Sequence, residues 1–128
     1  MEILHRTDRG VTIISIGYEV DPDYSGGEKT TGFTELDIDN HYVFLEMIDT
    51  LIDAGKTNIL VNLENVSYID SSGLGALFDG YRKVTSKNGA FSLCHANKDV
   101  KRVLEITKIS KKIKGYETED EAISSMQL

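Results

Sequence analysis

Residues 59–75 read Ile59-Leu60-Val61-Asn62-Leu63-Glu64-Asn65-Val66-Ser67-Tyr68-Ile69-Asp70-Ser71-Ser72-Gly73-Leu74-Gly75, and the arrangement of the chain follows from this stretch. Ile59 to Leu63 is a short, nearly continuous apolar run, which suits a strand covered on both faces, as in parallel sheets. Past Val66-Ser67-Tyr68-Ile69 the period changes. Leu74, Leu77, Phe78, Tyr81 and Val84 recur at helical spacing and stop near Asn88-Gly89, so an amphipathic helix is expected there. A buried strand therefore hands over to a helix at two adjacent serines.

Working outward, residues 2–5 and Val11 to Val20 are apolar and β-branched, and Thr7-Asp8-Arg9-Gly10 between them is a turn-like cluster, so a hairpin is expected. From Asp21 to Thr34 the composition shifts to Asp, Ser, Gly, Lys and Thr around the chain's one proline, Pro22, which describes a long polar loop at about 21–34. Val43, Phe44, Met47, Ile48, Leu51 and Ile52 mark a helix capped by Asp37 or Asp39 and ended by Gly55. Ala90 to His95 reads as a strand, Lys98 to Ile106 as a helix, and Ile113 to Tyr116 as a short edge strand. Thr118 and Glu121 form a capping-box pattern ahead of Ala122, Ile123 and Met126. The order β-β-α-β-α-β-α-β-α implies an α/β fold whose right-handed crossovers bring the parallel strand ends to one rim.

The totals narrow the function. A chain of 128 residues, 40% hydrophobic and 27% charged, fits one soluble globular domain, here 1–128. With 14 Lys+Arg against 21 Asp+Glu the net charge is −7, which disfavours a nucleic-acid partner. The one basic run, Lys108 to Lys114, lacks interleaved aromatics and reads as a solvated face. The single cysteine, Cys94, forms no intrachain disulfide, has no metal-ligand spacing around it, and is expected as a buried strand residue. No apolar run approaches the ~18 residues that span a bilayer, so no membrane insertion and a cytoplasmic location are expected, and no cofactor or metal is implied.

Asp70, Ser71 and Ser72 are all good N-cap types, and one cap explains only one of the three. A helix N-terminus carries unpaired N–H groups and about half a positive charge, which makes it a seat for a phosphate. A phosphoserine there adds about −1.5 to −2 charges beside Asp70 and would repel a docked partner. A nucleophilic serine is the competing chemistry. The nucleophile elbow needs G-x-S-x-G, whereas neither serine has a glycine two positions before it. His5, His41 and His95 are scattered and read as ordinary surface or strand histidines. Gly73-Leu74-Gly75 fits no phosphate-loop pattern, and Gly26 to Thr31 has the wrong spacing for one.

Asn58 to Gly75 as a whole, with Asp-Ser-Ser-Gly-Leu-Gly following a strand, resembles the core signature of the STAS domain, most like the bacterial anti-sigma factor antagonists. The order of elements matches along the chain. The resemblance implies a mixed four- to five-stranded sheet with about four packed α-helices, and a protein that is not an enzyme. It implies binding to an anti-sigma factor that is also an ATP-dependent serine kinase, release once that kinase modifies Ser71, and resetting by a metal-dependent serine phosphatase. By the same resemblance Asp70, Ser72, Gly73 and Leu74 form the immediate recognition surface. The family's Gly-x-Leu-Asp stretch lies close to the phosphoacceptor. Here Glu35-Leu36-Asp37 resembles its end, which adds Asp37 to the partner-binding set, although Gly17 is separated from it by residues 19–34. A constitutive, non-catalytic subunit of a transporter or stress-signalling scaffold is the alternative implied by other STAS relatives.

Overall fold

The computed structural model describes residues 1–20 and 27–127. Five strands form the main sheet: β1 (Ile3–Asp8), β2 (Val11–Ile16), β6 (Asn58–Asn62), β8 (Ala90–Cys94) and β9 (Lys114–Tyr116). They lie in the order β1-β2-β6-β8-β9, with β1 antiparallel to β2 and the other neighbours parallel. The hairpin turns at Arg9 and Gly10, both at positive φ, the two-residue geometry whose twist matches that of the strands. The sheet is therefore mixed, and the chain has the α/β architecture that its sequence implies.

Helices α1 (His41–Asp53), α2 (Ser71–Thr85) and α3 (Lys98–Ile106) carry the parallel crossovers, and α4 (Glu119–Met126) closes the chain. Strand alternation assigns them to layers. Ile14, Ile59 and Val61 join Phe44, Ile48, Leu77, Val84 and Leu104 in one buried cluster, so α1, α2 and α3 cover one face. Val11, Ile13, Leu60 and Cys94 join Ala122 and Ile123 in a second, beneath α4. Cys94 is buried, as a strand residue of this kind should be.

The structure differs from the expectation in three places. The second strand stops at Ile16 because Gly17 adopts φ +83° with the Asn65 side chain packed against it, too close for a Cβ. The chain then turns out, and β3 (Tyr18–Val20) pairs antiparallel with β4 (Glu28–Thr30). Asn65, buried, donates from Nδ2 to the Gly17 carbonyl at 3.1 Å and to Thr30 Oγ1 at 2.5 Å, tying this hairpin to the sheet. Within the polar stretch 21–34, Glu28–Thr30 is thus strand; residues 21–26 lie outside the described residues.

Second, β5 (Thr34–Leu36) and β7 (Val66–Ile69) form a separate two-stranded parallel sheet, a pairing that no local pattern announces. Third, neither Asp37 nor Asp39 caps α1. Its N-cap is Asn40, without a side-chain cap bond, while Asp37 Oδ1 accepts from Asp39 N at 3.0 Å in a local turn. At α4 the cap holds: Thr118 Oγ1 accepts from Glu121 N at 3.1 Å.

Candidate functional site

At the junction of β7 and α2 the cap is Asp70. Its Oδ1 accepts from Gly73 N at 2.9 Å, and Ser71 and Ser72 are the first two residues of the helix. The capping need is met by the aspartate, so neither hydroxyl is used for it. Ser71 is exposed and Ser72 half-buried. Leu74 is half-buried and packs on the core, and Gly73 is buried. A Cβ at Gly73 would stand 2.2 Å from the Leu36 carbonyl oxygen, so only glycine lets α2 start this close to β5.

The second oxygen of Asp70 reaches another element. Oδ2 accepts from Ile38 N at 3.0 Å, and the Asp70 amide donates to the Leu36 carbonyl at 3.2 Å. One carboxylate thus fastens the β5–α1 turn, including Asp37, to the start of α2. The Gly73 N–H holds this carboxyl below the usual carboxylate range against the opposing effect of burial, with Ile38 N–H, Ser72 N–H and the nearby His41 ring adding to the lowering. His41, one of three scattered histidines in the sequence, is therefore brought beside Asp70. Its Nδ1 faces the Asp37 and Ile38 carbonyls at 3.2 and 3.1 Å.

Sequence reasoning missed the apolar surroundings. Among the described residues five large hydrophobic side chains are markedly exposed; three of them, Ile38, Tyr42 and Tyr68, belong to the segments that meet at Asp70, and Phe33 stands at the other end of the β5–β7 ladder. Tyr68 is on β7 beside Glu35 of β5, Phe33 precedes β5, Ile38 is held by Asp70, and Tyr42 is in the first turn of α1. Two of them break the local pattern: Tyr42 falls off the buried stripe of α1, and Ile38 stands alone between Asp37 and Asp39. That signal was present in the chain. An exposed apolar cluster of this kind marks a docking surface.

Comparison with known proteins agrees with this picture. The family model described as "STAS domain" matches residues 33–122. A Thermotoga neapolitana protein provisionally classed as an anti-sigma factor antagonist is 36% identical over 94 residues, covering 73% of this chain and 83% of its own length. The anti-sigma F factor antagonist of Paenibacillus polymyxa is 26% identical over 95 residues, covering 72% and 81%. The crystal structure of a Thermotoga maritima protein given the same provisional class superposes with a TM-score of 0.79 at 26% identity, over 97% of this chain and 93% of that one. No helix among the described residues is long and apolar enough to cross a membrane. With the matched model covering most of the chain and the Asp70-Ser71-Ser72-Gly73 junction lying inside it, the protein belongs to the STAS domain family.

Proposed function

We propose that this protein is a phosphorylation-switched binding module that sequesters an anti-sigma factor with serine kinase activity and so releases a sigma factor. The observation that carries the reading is Ser71: an exposed hydroxyl, unneeded as a cap, next to the carboxylate that organises an apolar surface. The γ-phosphoryl of ATP passes to Ser71 Oγ, ADP leaves, and the hydroxyl proton goes to the kinase. Ser71 is a substrate residue and the chain supplies no catalytic group. The protein acts in the cytoplasm, as one domain over 1–128.

The switch is electrostatic. Asp70 already occupies the Gly73 N–H of the helix start, so a phosphate on Ser71 finds this donor taken and a carboxylate as its neighbour. The dianion projects toward the docking partner, which must desolvate it or leave. Asp37, Asp70, Ser72 and Leu74 hold or present the partner face, and Gly73 permits its geometry. A serine phosphatase restores the binding form.

Incubation with the cognate kinase and ATP followed by mass spectrometry should place phosphate on Ser71. Modification confined to Ser110, Ser124 or Ser125 overturns the reading, as does pull-down of a transporter ATPase unaffected by Ser71→Asp. Ser71→Ala should keep partner affinity, whereas Ser71→Asp should lose at least about tenfold, equivalent to ~1.4 kcal/mol.

A further inference from the structure

The charge of this acidic chain is sharply divided. Residues 98–114 hold seven Lys and Arg against Asp99 and Glu105, an excess of +5 that leaves −12 for the remainder. Lys101 is tied to Glu117 by an ion pair. The other six, Lys98, Arg102, Lys108, Lys111, Lys112 and Lys114, are exposed, and none has a side-chain ion pair or hydrogen bond among the described residues. Lys98 and Arg102 ride on α3, Lys111 on the 3-10 turn over Ile109–Lys111 with Lys108 and Lys112 on either side of it, and Lys114 on β9, and the turn packs on both α3 and β9 in one flank of the molecule. Ile106, the fifth of the exposed large hydrophobics, ends α3 on this flank.

Two further features lie there. Among the described residues β9 pairs only with β8, which leaves its outer edge without a strand partner. Tyr116 turns its carbonyl inward to His95 N at 3.2 Å, and strand alternation therefore aims the backbone groups of Gly115 outward. A Cβ at Gly115 would meet nothing within 4 Å. Between α3, the 3-10 turn and β9 lies a cavity of about 240 Å³ lined by Leu93, Leu104, Ile109 and Ile113, with Glu105 and Glu117 also on its wall.

We infer that this flank is a second docking site, separate from Ser71, for an acidic peptide segment of a partner protein. The segment adds to the free edge of β9, sets an apolar side chain in the cavity, and meets the unpaired cations with its carboxylates. A single-stranded nucleic acid fits less well, since the exposed apolar residue on the flank is an isoleucine and not a stacking aromatic. A lipid surface fits less well too, since Val100 and Leu104 of α3 are buried in the core and leave Ile106 alone to insert.

The test uses the full chain and the blocked peptide Glu-Asp-Ile-Val-Leu-Asp-Glu, with a control in which Gln and Asn replace its acids. Amide resonances should shift at Lys114, Gly115, Tyr116 and Ile109, with Ile38 and Ser71 unmoved. The double variant Lys111→Glu, Lys112→Glu should weaken binding at least about tenfold, and raising salt from about 50 to about 500 mM should weaken the wild type severalfold. Gly115→Pro, which removes the outward N–H, should weaken binding with the circular dichroism unchanged. Equal binding of the acid-free control, shifts confined to other surfaces, or movement of these resonances by phosphatidylglycerol vesicles or an oligonucleotide but not by the peptide overturns the inference.

Discussion

Asp70 shows how much one side chain can organise. Its two oxygens and its amide bond to three separate places, the α2 helix start, Ile38 and Leu36, so the residue beside the proposed phosphoacceptor also positions the docking face. Gly73 is the steric counterpart. Gly73→Ala pushes a methyl onto the Leu36 carbonyl, a backbone atom that cannot swing aside, and should cost at least about 2 kcal/mol in urea unfolding. Cys94 makes a prediction of a different kind. Burial, aided by the charge of Glu119, pushes its thiol up to about 12. The folded state thus favours the neutral thiol. Its contribution to stability is complete below the ordinary thiol value of about 8.5 and is lost progressively as pH climbs from there toward about 12. Iodoacetamide at mildly alkaline pH should label Cys94 rapidly in urea and scarcely at all in the native protein.

At the scale of elements, polar side chains join pieces that the backbone ladders leave apart. Asn97 caps α3 by accepting from Val100 N at 2.8 Å, and its Nδ2 donates to the Val66 carbonyl of β7 at 3.1 Å. Asn97→Ala removes both bonds and should cost about 1–2 kcal/mol, while Asn97→Asp keeps the cap and should recover part of it. Thermal unfolding of the two variants separates the cap from the tie to β7. Asn65 does the same for the β3–β4 hairpin through Gly17 and Thr30. Elements bound in this way sit around the β5–β7 rim, and the Ser71 surface is built on them.

For the whole molecule, the Ser71 surface and the α3–β9 flank are chemically unlike. The Ser71 surface is apolar with carboxylates, and the α3–β9 flank is cationic. The two proposed roles follow this division, one partner held under phosphorylation control and another by charge. Because Ser71 is exposed at a helix N-terminus, where an acidic side chain is tolerated, Ser71→Asp should shift stability by no more than about 0.5 kcal/mol. Its loss of partner binding is then an interface effect. A large drop in the melting temperature would instead mean that the variant acts through the fold.

The strands β6 and β8, the stripes of α1, α2 and α3, and the handover at Asp70 were legible because burial writes a period of two or of 3.6 into neighbouring residues, and because caps are local chemistry. Thr118 reads as a cap for the same reason, and it is one. Asp37 and Asp39 misled because a capping type can serve a turn as well as a helix. The break at Gly17, the pairing of β5 with β7 and the approach of His41 to Asp70 could not be read, since each depends on residues distant along the chain; the Ile38–Asp70 bond alone spans 32 positions. Tyr42 and Ile38 carry an off-period signal whose meaning appears only when packing leaves them outside beside Asp70. Local periodicity specifies what each segment buries, but which surfaces stay exposed side by side is set by contacts between distant segments.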